Sequence, residues 1–125
     1  MGKDNNFEFS VDSVNGGSWD YNIVTQSFIL SKKWKERLGF QESEELTYFT
    51  YLELIPDKNR FEHHQAMHEF LEDHEGGVEH VHFCINYPIV TKNGETLTIK
   101  DSGDIFFNED EIPVKIQGFQ TVVTS

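Results

Sequence analysis

The sequence predicts an α+β domain: a five-stranded antiparallel sheet with helices packed on one face and a further helix at the N-terminus. Three observations carry this. Two short alternating segments, "SWDYNI" and "SFIL", come early; the middle of the chain changes to helical spacing broken by glycine and proline; three long strand-like runs, "EHVHFCINYPIVT", "ETLTIKDSGDIFF" and "PVKIQGFQTVV", close it. Strands on both sides of a helical block, with no repeat and no internal linker, describe one sheet covered by helices, with a cavity between the two.

Taken in order, Phe7, Val11 and Val14 recur at helical spacing before Gly16-Gly17, which predicts a short helix inside a leader of residues 1–16. Residues 17–125 form the remaining domain. Trp19, Tyr21 and Ile23 alternate with Ser18, Asp20 and Asn22, and the short link to "SFIL" makes a hairpin. From Ser31 the period changes: Trp34 and Leu38 are spaced as on a helix that Ser31 caps and Gly39 ends. A second short helix covers Tyr48 to Leu54 and must stop before Pro56, because a residue preceding proline disfavours the helical region. Asp57 is then expected to cap a long helix running to about Asp73 or His74, closed by Gly76-Gly77. The turn signals "KNG" and "NEDE" divide the rest into an antiparallel meander of three strands.

A chain of 125 residues suits one domain, and its net charge of -12 repels both a nucleic-acid backbone and an anionic membrane surface. Neither partner is expected. A lone Cys84 allows no intrachain disulfide, which fits a reducing compartment and makes the cytoplasm the expected location. No apolar run reaches the length of a membrane span, and "MGKDNNFEFS" has no apolar signal core. No phosphate loop, nucleophile elbow or catalytic Ser/His/Asp spacing is found, and pairs such as Glu44-Glu45 and Asp110-Glu111 read as solvated turns. No enzymatic activity is expected of this domain.

The segment "RFEHHQAMHEFLEDH" concentrates four histidines, and helical spacing sorts them. His63, Ala66, Met67, Phe70, Leu71 and His74 share one apolar face, while Glu62, Gln65, His68, Glu69 and Glu72 take the other and His64 lies at the margin. Two spacings resemble metal-ligand sets, His64 with His68 on the helix and His80, His82 and Cys84 along a strand. The helix pair has no partner that completes it, and Cys84 would have to reach the histidines' ion along an extended strand, which otherwise reads as a polar outer face, so no metal is assigned. The opposite face of that strand, including Phe83, Ile85 and Tyr87, is apolar and is expected to face the cavity.

The landmarks "GSWDYNI", "SKKWKERLGF", "IPDKNRF", "TKNGE" and "GFQTVVT" occur in an order and spacing that resemble a PAS sensor domain with its PAC motif, of the subgroup opening with Gly-x-Trp-Asp. The likeness spans nearly the whole chain. It departs at Ile55-Pro56-Asp57-Lys58, where the family has His-Pro-Asp-Asp, at Pro88 and Thr98 or Leu97, and at Val122-Val123-Thr124, where it has Asp-Ile-Thr. Pro88 agrees with the third strand of a PAS sheet lying at an edge, where a missing N–H costs no ladder bond.

The resemblance implies a sensory, non-catalytic module of a bacterial signalling protein, a GGDEF diguanylate cyclase making cyclic di-GMP or a histidine kinase. A small molecule of unknown identity would bind between the long helix and the sheet, among Phe49, Leu52, His63, Met67, Phe70, Phe83, Ile85, Tyr87, Leu97 and Ile99. Its binding would be relayed to a C-terminal output domain, and a homodimer is implied as well. The cofactor is unassigned. Haem-binding oxygen sensors of the family place an axial His very near the position of His63, which otherwise reads as a pocket or core histidine. Flavin photosensors of the LOV type use a cysteine that "TYFTYLELIPD" lacks. The alternative is a ligand-free PAS module that mediates homodimerisation; a small cone-shaped isomerase fold is disfavoured by the two early strands.

Overall fold

Antiparallel pairing organises nearly every described segment. The computed structural model describes residues 12–72 and 80–124. In chain order these are β1 (Asp12–Ser13), β2 (Gly16–Asn22), β3 (Ser27–Leu30), α1 (Lys32–Arg37), β4 (Leu46–Thr47), α2 (Tyr48–Leu52), α3 (Asp57–Glu72), β5 (His80–Val90), β6 (Thr96–Phe107) and β7 (Pro113–Thr124). The strands form a single sheet in the order β4-β3-β2-β7-β6-β5, with β1 also paired to β2. The five expected strands are β2, β3, β5, β6 and β7, and two two-residue strands, β1 and β4, extend the sheet. Among the described residues no helix is long and apolar enough to cross a membrane.

Three corrections to the expected elements concern helix ends. Asp12 and Ser13 pair with Gly17 and Gly16 as a strand, so the stretch before the glycines is not the end of a helix; residues 1–11, where the rest of that helix was expected, lie outside the described residues. Asp57 sits inside the first turn of α3 rather than capping it. The Pro56 carbonyl accepts from the N–H groups of Asn59 and Arg60, and the Asp57 carboxylate meets Arg60 Nη1 at 3.0 Å. The expected end at Gly76-Gly77 also lies outside the described residues. Ser31 has the extended backbone of an N-cap, but its hydroxyl makes no capping bond and is buried without a partner. Thr47 does cap: its Oγ1 accepts from Thr50 N at 3.2 Å and starts α2.

Period-two alternation turns Trp19, Phe28, Leu30, Phe83, Tyr87, Ile89, Leu97, Ile99, Ile105 and Ile116 to one side, where they form a single core with Trp34, Leu38, Tyr51 and Met67 of the helices. β5 pairs only with β6 and is an edge, so Pro88 costs the sheet no bond. That edge is tied down by Val90 N, which donates to Leu54 O at 2.7 Å.

β6 and β7 approach closely where Gly103 faces Gly118. A Cβ on Gly118 would stand 2.1 Å from Ser102 O, and one on Gly103 2.1 Å from Gln117 O, both backbone atoms of the neighbouring strand. Gly118→Ala must therefore push two central strands apart. We expect it to cost about 2 kcal/mol, against a few tenths for Ser102→Ala on the outer face, measured as a shift of the urea midpoint.

Candidate functional site

Polar residues in the apolar stripes of the sheet converge beneath the helices. Alternation along β6 puts Asp101 inward between Ile99 and Gly103, only 4% exposed, and along β7 it does the same for Gln120, at 1%. Each needs partners there, because an unpaired buried polar group costs about 1–3 kcal/mol. Asp101 Oδ1 accepts from Trp19 Nε1 at 2.8 Å, and Oδ2 accepts from the Tyr87 hydroxyl at 2.6 Å and from Gln120 Nε2 at 3.3 Å. The Tyr51 and Tyr87 hydroxyls lie 2.6 Å apart, Gln120 Nε2 donates to Tyr51 at 2.9 Å, and Trp34 Nε1 donates to Gln120 Oε1 at 2.7 Å. Since the Tyr87 proton goes to Asp101, the Tyr51 proton goes to Tyr87. One ordered chain of donors ends on a single carboxylate.

Burial holds both tyrosines well above the usual phenol range, and the Asp101 charge adds to this, so they remain donors. For Asp101 the loss of water raises the pKa to about 7, while the bonds from Tyr87, Gln120 and Trp19 pull it back.

His63, on the inward face of α3, covers this network. Its ring stands edge-on to Tyr87 at 4.6 Å and is 6% exposed. Burial, reinforced by repulsion from His64, lowers its pKa to about 4, so at neutral pH it is an uncharged imidazole with one donor and one acceptor nitrogen. Among the described residues neither nitrogen has a protein hydrogen-bond partner. On the Tyr87 side the enclosed space beneath the helices is only about 10 Å³, roughly enough for one water. A porphyrin does not fit there, so an axial haem role for His63 finds no room on the enclosed side.

The other side of His63 opens on a cleft of about 840 Å³ between α3, α2 and the ends of β2 and β7, within the roughly 300–1,000 Å³ of ligand sites. Tyr21 and Tyr48, stacked at 4.4 Å, form one wall with Ile23, Leu52 and Ile116; Met67 and Leu71 form the other. Phe49 and Phe61 stand at the rim, 66% and 67% exposed.

The residues expected around a ligand therefore separate. His63, Met67, Phe49 and Leu52 border the cleft. Phe83, Leu97 and Ile99 belong to the solid core, where Phe70 packs on Phe83 at 6.0 Å; Tyr87 joins the polar network, and Ile85 borders a smaller hollow beside Pro88. Asp101, Gln120 and Tyr51 are not among the residues expected at a site, nor are Trp19 and Trp34, which the sequence marks only as strand and helix landmarks. Among the described residues no three metal-ligating side chains gather. The His64 and His68 rings stack at 6.3 Å with His68 turned to Glu72, and His82 meets Asp104 across the sheet at 3.2 Å.

The family model described as PAS fold matches residues 28–120, three quarters of the chain. The chain belongs to the PAS fold family. Among solved structures, this PAS domain is similar to a sensory box histidine kinase/response regulator from Burkholderia thailandensis E264, at 25% identity and TM-score 0.73, covering 94% of this chain and 84% of that one. It is also similar to the N-terminal domain of a diguanylate cyclase with PAS/PAC sensor from Marinobacter aquaeolei, at 13% identity and TM-score 0.68, covering 86% and 94%. A domain of a putative light and redox sensing histidine kinase from Haloarcula marismortui superposes with TM-score 0.67 at 13% identity, covering 97% and 99%. Among curated proteins no significant relative is found. PAS domains are sensory modules without catalytic chemistry of their own.

Proposed function

We propose that this domain, with β1 and the start of β2 as part of its sheet, is the sensory unit of a bacterial signalling protein, and that a small molecule binds in the cleft beside His63. The observation that carries this reading is a nine-tenths-buried imidazole with no hydrogen-bond partner among the described residues, at the floor of a ligand-sized apolar cleft. A bound molecule that moves His63 also moves Tyr87, its ring neighbour. From there the hydrogen bonds lead to Asp101 and Gln120, the latter on β7, the strand that would run on to a diguanylate cyclase or histidine kinase output domain. A difference in ligand affinity between two arrangements of this network would be the signal.

The test is a thermal-shift screen of small metabolites. We expect hits whose stabilisation falls sharply in His63→Ala and persists in His64→Ala, at the exposed rim. Hits indifferent to His63→Ala would overturn the site. A second reading, a homodimer through the outer sheet face, draws on Ile29 and Phe119, 63% and 39% exposed beside a hollow of about 580 Å³. Sedimentation of Ile29→Glu, expected to shift the protein towards monomer, tests it.

A further inference from the structure

We infer that the cleft selects an uncharged, largely apolar molecule carrying one hydrogen-bonding group, which pairs with His63. The inference rests on the cleft being the ligand site and adds the chemical class. Aromatic and aliphatic side chains, Tyr21, Tyr48, Leu52, Met67 and Leu71 among them, supply most of the wall. The polar group at the floor is His63, which burial keeps neutral, so it offers a hydrogen bond without charge.

The carboxylates and guanidinium at the cleft are Glu53, Asp57 and Arg60, a formal sum of -1. Arg60, the one lysine or arginine there among the described residues, has Nη1 on the exposed Asp57 at 3.0 Å and Nη2 on the Ile55 carbonyl at 2.9 Å. Its Nε is buried and has no partner among the described residues. A carboxylate entering the cleft would leave water only to compete with Asp57 for Arg60 at the mouth, inside a domain that carries -12 overall. An ammonium group would meet Glu53 and Asp57 only at the mouth, and at the floor a neutral imidazole between apolar walls. A molecule with a hydroxyl or carbonyl loses least on entry and gains the bond to His63.

The probe is Nile red, an uncharged dye whose fluorescence rises in apolar surroundings, displaced at neutral pH by naphthalene, 2-naphthol, 2-naphthoate and 2-naphthylmethylamine. We expect Nile red to be taken up, and Phe61→Glu, which puts a charge on the exposed rim, to abolish that uptake without unfolding the protein. 2-Naphthol should displace the dye at concentrations about ten-fold below those of naphthoate and the amine. Its advantage over naphthalene should vanish in His63→Leu and be retained in part by His63→Gln, which keeps a donor and an acceptor. If Phe61→Glu abolishes uptake but naphthoate or the amine competes as well as naphthol, the chemical class is wrong while the cleft stands. If the dye is not taken up, or is taken up equally by Phe61→Glu, the cleft reading itself fails and the class falls with it.

Discussion

Asp101→Ala is expected to lower the unfolding free energy by about 3 kcal/mol and the melting temperature by about 10 °C. The carboxylate terminates three donors: Trp19 Nε1, the Tyr87 hydroxyl and, at longer range, Gln120 Nε2. Truncation leaves Trp19 Nε1 and one proton of the Tyr51–Tyr87 pair without an acceptor in a space that holds roughly one water. Gln120 Nε2 keeps Tyr51 as an acceptor, so it adds less. Asp101→Asn should cost less than half as much, because its carbonyl still accepts from Trp19 while its amide can donate to the Tyr87 oxygen, and the tyrosine protons reorder. Denaturant unfolding of both variants, combined with Tyr87→Phe in a double-mutant cycle, checks this. Strictly additive costs for Asp101→Ala and Tyr87→Phe would mean that the two residues do not act as a unit.

Such a network is legible in a sequence only in part. Asp101 interrupts the apolar set Leu97, Ile99 and Ile105, and Gln120 interrupts Ile116 and Val122, so alternation alone marks both as buried polar residues in need of partners. What alternation does not give is the partner. Trp19 and Asp101 are 82 residues apart and meet because β2 and β6 both flank β7, whereas Trp34 and Gln120 are 86 apart and meet because α1 packs its buried tryptophan onto the sheet. The long helix was easier, since its inward positions follow from spacing within one element, and His63 and Met67 are buried as that spacing requires. In α2 the spacing says less: the helix is only five residues long, too short to define a face, and tertiary packing buries Tyr51 and leaves Phe49 at the cleft rim. The division between a filled interior and an open cleft is also hidden from a linear reading, because it depends on how completely Tyr51, Tyr87, Phe83 and Gln120 fill the volume beneath α3.

The second large effect is one that the native protein conceals. His63 has its pKa lowered from 6.5 to about 4, so between those values the unfolded chain binds a proton there that the folded one does not, and stability rises with pH. Asp101 has its pKa raised from 3.8 to about 7, so over nearly the same interval the folded chain holds a proton that the unfolded one has lost, and stability falls with pH. Each slope approaches about 1.4 kcal/mol per pH unit, and the two are opposite in sign. Their sum in the native protein is close to zero from about pH 4 to 6.5. Removing either group exposes the other. His63→Leu should become less stable as pH rises towards 7, by roughly 3 kcal/mol across the interval, whereas Asp101→Asn should become more stable by a similar amount towards pH 6.5. Urea unfolding at several pH values between these limits reads both slopes directly. If the two variants keep the native pH profile, neither group is held in the protonation state that its burial requires. The same balance bears on sensing, since a ligand that hydrogen-bonds to His63 near neutral pH meets an uncharged ring lying against the tyrosine that donates to Asp101. A ligand that alters the charge on Asp101 would then read out as a change in the pH at which the complex is most stable.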